Sequence, residues 1–455
     1  MTASVAALRR RLRIPSLPHP SQVVVTGFAA AILVGTLVLM LPAARVGEGG
    51  APFLVALFTA TSAVCVTGLV VVDTPSYWTG FGEAVILLLI QLGGLGIMTA
   101  ASLLGLLVSR RMGLRSRLTA AAETKSLGIG DVRQVLVGVL RVTLAFEAVT
   151  AVLLTFRFAL GYDVPLGRAA YHGLFHAVSA FNNAGFALYS DNLMGFVTDP
   201  WVALPISAAV IAGGLGFPVI LELRRQLGRP KAWSLHTKLT VMMTAVLLVG
   251  GTVFVTASEW SNPGTLGPLD PAGRLLAGFF QGVMPRTAGF NSLDTAQMYD
   301  GTLLGTIVLM FIGGGSAGTA GGIKVTTFVI LLLAIYAEVR GESSVNAFDR
   351  RIGSRVQRQA LTVALLAVAS VVVSALVIME MTEHALTDVL FEVTSAFATV
   401  GLSTGITADL PGAAQLLLVM LMFVGRLGPI TFASALALRD RRRLYQLPEG
   451  RPIIG

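Results

Sequence analysis

Four short turns contain the residues most suited to binding an ion. In each turn two residues precede a glycine and an apolar residue follows it, and the turns recur at intervals of a little over one hundred residues. Glycine accepts positive φ, which lets backbone carbonyl oxygens face one side of a turn. A ring of such oxygens can replace the hydration shell of a potassium-sized cation. The turns are Val66-Thr67-Gly68-Leu69, Asn183-Ala184-Gly185-Phe186, Thr287-Ala288-Gly289-Phe290 and Thr399-Val400-Gly401-Leu402.

A second set of glycines follows the first in phase. Each set lies roughly 25 residues after its turn: Gly93-Gly94-Leu95-Gly96, Gly213-Gly214-Leu215-Gly216, Gly313-Gly314-Gly315 and Gly425-Arg426-Leu427-Gly428. One match means little in a chain with 50 glycines, but four matches in phase at two levels predict an internal repeat.

The chain has too few charges to coat a soluble protein. Of its 455 residues 54% are apolar and 13% are charged, so we expect an integral membrane protein. This composition argues against a soluble enzyme, a disordered chain and a nucleic-acid binder. The single cysteine, Cys65, cannot form an intrachain disulfide. No cluster of His, Asp, Glu or Cys has catalytic spacing, which argues against a membrane-embedded enzyme.

Apolar stretches predict the elements that position the turns. Spans long enough to cross a bilayer are expected near 22–42, 81–109, 136–160, 201–223, 237–257, 302–338 (interrupted), 359–381 and 412–438. Shorter apolar segments, typical of re-entrant half-helices, precede the turns at 53–64, 169–181, 272–284 and 386–397. The predicted fold is an all-α polytopic membrane protein with eight transmembrane helices. Four pseudo-symmetric span–pore helix–span repeats surround a central ion pore.

The domain boundaries follow from this pattern. They are an N-terminal tail 1–20, repeat 1 at 21–112, a loop 113–132, repeat 2 at 133–226, repeat 3 at 227–340 with a broken second span, repeat 4 at 341–438 and a C-terminal tail 439–455.

Basic residues give the orientation. The net charge is +9, and basic clusters at 9–13, 110–141, 224–238, 340–358 and 439–451 share one side if the chain crosses eight times. The positive-inside rule makes that side cytoplasmic, with both termini inside. We assign five basic residues to the outer side: Arg45, Arg157, Arg168, Arg274 and Arg286. The preference for Arg over Lys indicates a bacterial source and hence a multi-pass protein of the inner (plasma) membrane.

The sixth span is interrupted by a glycine-rich run, 311–322. Such a run is a poor helix, and Lys324 follows it. It predicts either a flexible loop at membrane depth or close helix packing through small residues. A phosphate-binding loop is excluded, because Lys324 follows Ile323 rather than a glycine.

Three polar features lie inside predicted apolar segments. Arg426 interrupts the last span, and an arginine at membrane depth is by default a functional hypothesis; the alternative is an arginine that caps backbone carbonyls. Glu147, in the third span, either pairs with a polar neighbour or is protonated. His172 and His176 share a helix face, but the Glu of a zinc-protease motif is missing between them.

Together these features resemble the Trk/Ktr/HKT superfamily of potassium transporters, and within it the KtrB-type pore subunits. The resemblance covers roughly residues 22–443. It implies that the first three residues of each turn form a selectivity filter, with K⁺ bound at Gly68, Gly185, Gly289 and Gly401. In the family a glycine in the first filter turn goes with potassium preference and a serine with sodium permeability, and here that residue is Gly68.

The resemblance also implies a gate below the filter. The gate residues are Gly313, Gly314, Gly315, Ser316, Gly318, Gly321, Gly322, Lys324 and Arg426. In the family a matching arginine impedes ion flow electrostatically and helps to hold the gate loop, a role expected here of Arg426. Further expectations are a homodimer, membrane-potential-driven flux, Na⁺ as an activator, and a cytosolic KtrA-like RCK ring that binds adenine nucleotide.

A sodium-coupled secondary symporter is the alternative function. Such transporters bind their solute at broken helices near the bilayer midplane. They often use inverted repeats, whereas the four repeats predicted here share one orientation. The basic loops fit contact with a regulatory ring or with anionic membrane lipid, and we expect no nucleic-acid partner.

Overall fold

A computed structural model describes residues 20–110 and 132–428. The two predicted tails, the loop 113–132 and the end of the last predicted span therefore lie largely or wholly outside the described residues, and the domain boundaries stay predictions. Within the described ranges the chain is helical apart from one short hairpin, as the all-α prediction required.

The helices of the first two repeats are α1 (Pro20–Leu39), α2 (Phe53–Val64), α3 (Thr74–Tyr77), α4 (Gly80–Arg110), α5 (Val132–Gly161), α6 (Leu166–Phe181), α7 (Pro200–Leu215) and α8 (Phe217–Gln226). Those of the last two are α9 (Leu235–Glu259), α10 (Pro271–Val283), α11 (Asp300–Phe311), α12 (Val325–Val339), α13 (Ser354–Met379), α14 (Leu386–Ala398) and α15 (Gly412–Leu427). Strands β1 (Asn346–Ala347) and β2 (Arg350–Arg351) form an antiparallel hairpin between α12 and α13.

The four predicted half-helices are present as α2, α6, α10 and α14. They have 12, 16, 13 and 13 residues, too few to cross a bilayer. The residues that begin them explain where they start. Pro52 and Pro165 precede two of the helices, and Asp270 caps the third by accepting the N–H of Gly273 at 3.2 Å.

Five helices in the described ranges, α1, α4, α5, α9 and α13, are long and apolar enough to cross a membrane, or six if α7 and α8 form one bent span. The fourth span, predicted at 201–223, is bent. The chain turns by 102° between α7 and α8, because Gly216 has φ +92° and ψ 145°, outside the helical region, and Pro218 cannot continue the ladder.

The sixth span is broken where the glycine run predicted a break. Helix α11 ends at Phe311 and α12 begins at Val325. The last span is helical as far as Leu427, and the rest of its predicted range, from residue 429 on, lies outside the described residues. The count of eight crossings therefore stays a prediction.

The repeats close into a ring through one recurring contact. The second span of each repeat packs against the short helix of the next: α4 on α6, α7 on α10, α11 on α14 and α15 on α2. Because the last repeat returns to the first, the four short helices surround a common axis. Their C-terminal ends deliver the four glycine turns to it.

Candidate ion pathway

The four predicted filter turns meet in a closed ring. A Cβ built on each glycine would lie closer than van der Waals contact to the Cα of the next glycine. The distances are 3.2 Å from Gly68 to Gly185, 2.9 Å from Gly185 to Gly289, 3.0 Å from Gly289 to Gly401 and 3.1 Å from Gly401 to Gly68. The carbonyl oxygen before each glycine is closer still; that of Val400 would be 2.4 Å from a Cβ on Gly289. Only glycine fits such an approach.

All four turns share an unusual backbone. Their first residues are left-handed although none is glycine: Val66 (φ +56°), Asn183 (+60°), Thr287 (+69°) and Thr399 (+51°). Their glycines also have positive φ: Gly68 (+93°), Gly185 (+71°), Gly289 (+72°) and Gly401 (+98°). A left-handed β-branched residue costs on the order of 1–3 kcal/mol. Because the strain recurs at the first residue of all four turns, the surrounding structure must impose this backbone conformation.

Buried side chains hold the turns from behind. The middle residues Thr67, Ala184, Ala288 and Val400 are fully buried, and so are the apolar residues after the glycines. In the first and fourth repeats a serine hydroxyl accepts the N–H of the filter glycine, Ser62 from Gly68 and Ser395 from Gly401, both at 3.0 Å. In the second repeat Ser179 donates to the Phe186 carbonyl at 2.8 Å.

The third repeat departs from this pattern. Val283 occupies the position of these serines, and Pro285, which lacks an N–H, follows the end of α10. Ala288 donates its N–H to Met284 at 3.0 Å, whereas Thr67 and Ala184 donate to the serine carbonyls at 2.8 and 2.7 Å. The ring is closed all the same, so the third repeat reaches the same turn by a different local route.

Two polar side chains brace the filter in opposite repeats, a role that sequence reasoning missed. His176 is fully buried, and its Nε2 accepts the N–H of Leu188, three residues beyond Gly185, at 3.3 Å. Its Nδ1 lies 2.7 Å from the His172 carbonyl. His172 in turn contacts the Tyr189 hydroxyl at 2.9 Å, and burial raises the pKa of Tyr189 to about 12. Both histidines therefore have positioning contacts.

Glu392 occupies the matching position in α14. Its carboxylate is fully buried and accepts the hydroxyl protons of Ser403 and of Thr407, the latter at 3.1 Å. Ser403 lies two residues beyond Gly401, so the carboxylate fixes the chain that leaves the filter. The corresponding positions are Thr59 in the first repeat and Phe280 in the third. Only alignment of the repeats on their glycines would have exposed this position in the sequence.

The predicted gate loop lies against α7 and against the first residues of the second and third filter turns. The N–H of Gly315 bonds to the Gly214 carbonyl at 2.7 Å, and that of Thr319 to Gly213 at 3.1 Å. The Thr319 hydroxyl and the Asn183 side chain are 2.8 Å apart. At the far end Gly321 donates its N–H to the Thr287 hydroxyl at 3.2 Å. Thus the loop touches filter residues of two repeats.

Arg426 and Lys324 both reach this loop. Arg426 is 4% exposed; its Nη1 donates to the Thr319 carbonyl and its Nη2 to Gly93 at 3.4 Å. The Lys324 ammonium donates to the Ala320 carbonyl and lies 3.5 Å from that of Gly321. The gate residues are thus brought together, with Ser316 tied to Thr326 through hydroxyls 3.3 Å apart.

A cavity of about 230 Å³ lies beside the loop. It is bounded by α1, α4, the gate loop and the end of α15. The lining includes Val24, Ile97, Ser316, Lys324, Arg426 and Gly428. The gate loop and the two cationic side chains therefore line this cavity, and the same loop contacts the filter residues Asn183 and Thr287.

The second set of glycines permits close helix packing. A Cβ on Gly93 would lie 2.0 Å from the Val64 carbonyl, one on Gly213 1.9 Å from Phe181, and one on Gly425 1.7 Å from Phe397. Each of these carbonyls belongs to the last turn of a short helix. In the third repeat the corresponding glycines form the gate loop.

The structure corrects the predicted position of one charged residue, Arg286, and identifies the partners of another, Glu147. Arg286, assigned to the outer side, is 6% exposed and donates from Nη2 to the Gly313 carbonyl in the gate loop at 3.1 Å. That assignment is wrong, because Arg286 belongs to the re-entrant segment rather than to a surface loop. Glu147 accepts from Asn182 at 3.1 Å and from Gln91 at 3.3 Å, so it has the polar neighbours that the sequence could not identify.

Known cation transport proteins have sequences similar to that of this chain. Residues 3–441 match the model of the TrkH family, described as cation transport proteins. The chain is 41% identical to the Ktr system potassium uptake protein B of Bacillus subtilis over 96% of this chain and 97% of that protein. It is 36% identical to the potassium/sodium uptake protein NtpJ of Enterococcus hirae, over the full length of both.

A solved structure shows the same fold. The crystal structure of the potassium transporter TrkH from Vibrio parahaemolyticus superposes with a TM-score of 0.74 at 17% identity, covering 93% of this chain and 86% of that one. The family match spans nearly the whole chain, and the fold agrees with it. The chain therefore belongs to the TrkH family of membrane-spanning cation transport proteins.

Proposed function

We propose that this chain is a potassium uptake subunit with a channel-like pore. The closed ring of four glycine turns is the observation that carries the proposal. Such a ring offers backbone oxygens to a dehydrated cation from every repeat. The 41% identity to a potassium uptake protein over nearly the full length of both chains supports potassium as the transported ion.

The filter and the gate act in series. A K⁺ ion would exchange water for carbonyl oxygens of the turns at Gly68, Gly185, Gly289 and Gly401, driven by the membrane potential. The loop 312–324 obstructs the path beyond the ring, and the positive charge of Arg426 opposes a cation there. Conduction then requires that the loop and Arg426 separate.

Topology and partners complete the proposal. The basic clusters support a plasma-membrane protein with both termini in the cytoplasm. We expect a homodimer controlled by a cytosolic RCK-type ring that binds adenine nucleotide. The name of the Enterococcus hirae relative supports a part for sodium, which we propose as an activator.

A sodium-coupled symporter remains the second candidate. The bend at Gly216 and the break at 312–324 favour it, because broken helices can form a solute site. The two functions differ in what drives flux: a channel-like pore follows the membrane potential alone, whereas a symporter needs a sodium gradient.

Complementation tests the proposal directly. A bacterium deficient in potassium uptake should grow at low external K⁺ when it expresses this chain, alone or with a KtrA-like ring. In liposomes, uptake should persist without a sodium gradient. Failure to restore growth in every combination, despite membrane expression, would overturn the proposal.

Substitution of the first filter glycine tests the assignment of the ring. Gly68→Ser introduces a Cβ 2.3 Å from the Ala184 carbonyl at φ +93°, so the ring must shift and should admit sodium. Gly250→Ser is the matched control, because a Cβ there meets no atom within 4 Å. Unchanged sodium uptake in Gly68→Ser would argue against the filter assignment.

A further inference from the structure

The third filter turn carries a buried arginine with no acidic partner. Arg286 is 6% exposed and lies directly before Thr287 in the re-entrant segment. Among the described residues no carboxylate lies within 4.0 Å of its guanidinium. A buried, uncompensated charge is expensive, so its position next to a cation pathway requires an explanation other than stability.

The contacts of Arg286 lead to the gate loop. Its Nη2 donates to the Gly313 carbonyl at 3.1 Å, where the loop begins. Gly313 is also fixed by its own N–H, which bonds to Ile323 at 2.8 Å across the loop. A hydrogen bond that holds Gly313 in place therefore restrains both ends of the loop.

The neighbouring residue holds the opposite end of the same loop. The Thr287 hydroxyl accepts the N–H of Gly321 at 3.2 Å. Arg286, directly before the third filter turn, and Thr287, its first residue, thus bond to the loop at Gly313 and at Gly321. Between these two points Arg426, from the fourth repeat, donates a hydrogen bond to the Thr319 carbonyl of the loop.

The environment of Arg286 suits a bond that can be broken and remade. Its Nη1 is buried and has no hydrogen-bond partner in the described part of the chain. A cavity of about 10 Å³ lies beside it, lined by Thr244, Val283 and Gly314 among others, close to the space of one water molecule. The planar guanidinium thus has a donor, at Nη1, that the bond to Gly313 does not use.

We propose that Arg286 is a second positioning residue of the gate, which holds the loop closed from the filter side and couples loop opening to the third filter turn. The inference rests on the proposed function and adds a residue to its gate. Loop opening must break the Arg286–Gly313 and Thr287–Gly321 bonds together, so the backbone of the filter responds when the gate moves. The charge of Arg286 adds to that of Arg426 in opposing a cation.

Flux through the full-length chain in liposomes tests the anchor. Arg286→Met removes both charge and donors and should raise potassium flux by about tenfold, the population shift expected from loss of one charge-assisted hydrogen bond. Arg286→Lys keeps the charge but loses the planar guanidinium and part of the side-chain length. Potassium flux should therefore rise by less than in Arg286→Met. A Lys variant with wild-type flux, beside a raised Met variant, would contradict the anchor and leave a charge effect alone.

A double-substitution cycle separates coupling from independent effects. Arg286→Met and Arg426→Ala release the same loop, and a loop that one substitution has already opened cannot open further, so their combined rise in flux should fall well short of the product of the single rises. Arg274→Met is the matched control in the same repeat, because Arg274 bonds to the Gly267 and Leu269 carbonyls away from the loop. Multiplicative effects, or no rise in Arg286→Met, would overturn the proposal.

The wild-type chain in the same assay separates this inference from the proposed function. Absence of potassium flux in every variant, wild type included, would refute the proposed function. Wild-type flux with unchanged Arg286 variants would refute this inference alone. If Arg286→Met fails to assemble, Arg286→Gln allows the same comparison, with a smaller expected rise because one donor remains.

Discussion

The filter ring and the gate layer next to it are built on opposite rules. In the ring all four repeats place a left-handed residue and a positive-φ glycine at the same positions. In the gate layer, formed by the second set of glycines and the loop 312–324, the repeats differ: α4 is continuous, α7 and α8 are bent at Gly216, α11 and α12 are separated by a loop, and α15 carries Arg426 and ends before Gly428, whose φ is +83°. Under the proposed function, symmetry is kept where the cation would be surrounded and lost where its passage would be controlled.

Coordination and obstruction have different physical requirements. A dehydrated cation needs oxygen ligands on all sides, so each repeat must contribute equally. Obstruction needs only one mobile element and the surfaces that receive it. In the proposed function the loop 312–324 is that element, and the surfaces that it contacts include the Gly213 and Gly214 carbonyls, Thr287 and Arg426.

The largest expected effect comes from adding one methyl group to the ring. Gly289→Ala would place a Cβ 2.4 Å from the Val400 carbonyl at φ +72°. Strain and overpacking together cost a few kcal/mol, so potassium uptake should fall by about 100-fold. If the ring is symmetric, Gly185→Ala should be as damaging. The measurement is the initial rate of uptake at matched membrane expression.

Gly96→Ala is the control for this comparison. Gly96 belongs to a glycine cluster in α4, but the nearest atom to a Cβ there is a Phe28 ring carbon at 3.7 Å. Alanine favours a helix over glycine by about 1 kcal/mol, so uptake should be unchanged. Comparable losses in Gly96→Ala and Gly289→Ala would deny the ring its special status.

The ring was predictable from the sequence because its constraint falls on residue type. A backbone that needs positive φ with no room for a Cβ leaves glycine as the only choice, so Gly68, Gly185, Gly289 and Gly401 stand out by their spacing. The short helices were predictable for a similar reason, since length and apolarity distinguish them from spans. The structure places three of them, α2, α10 and α14, within a residue of the predicted bounds at each end.

The asymmetric layer was harder to predict because its constraints are contacts between repeats. Gly216 is one of 50 glycines, and its close approach to the third repeat, where a Cβ would lie 2.5 Å from the Ser316 carbonyl, is a contact between repeats. Arg286 was misassigned because its partner, Gly313, lies 27 residues further along the chain. Neither contact leaves a local pattern.

A medium effect is expected behind the fourth filter turn. Glu392→Leu leaves the Ser403 and Thr407 hydroxyls without their acceptor, at about 1–3 kcal/mol for each polar group that stays buried. The turn that follows Gly401 should loosen, so potassium uptake should fall by about tenfold and sodium should compete better. Competition by sodium against potassium uptake is the measurement.

Glu392→Gln separates bracing from charge. Its side-chain oxygen can still accept both hydroxyl protons, so uptake and discrimination should stay near those of the wild type. His176→Leu, which loses the acceptor for Leu188, should resemble Glu392→Leu because it lies at the same position of the opposite repeat. A Gln variant as poor as the Leu variant would show that the charge, rather than the brace, is required.

The smallest effect gives the sharpest comparison between repeats. Ser62→Ala and Ser395→Ala each remove one acceptor, at 3.0 Å from the N–H of Gly68 and of Gly401. Both should lower uptake by a few-fold, as the loss of about 1 kcal/mol implies, and by similar factors because the two bonds are equivalent. Initial uptake rates of the two variants, measured side by side, test this equality.

Val283→Ser is the counterpart in the third repeat. It restores the serine pattern there, but Ala288 already bonds to Met284 and Pro285 redirects the turn, so no gain in uptake is expected. Unequal losses in the first and fourth repeats, or a gain from Val283→Ser, would mean that the equivalence of the turns does not extend to their supports. The ring would then be symmetric in its backbone only. The asymmetry would include the side chains that support the filter turns as well as the gate layer.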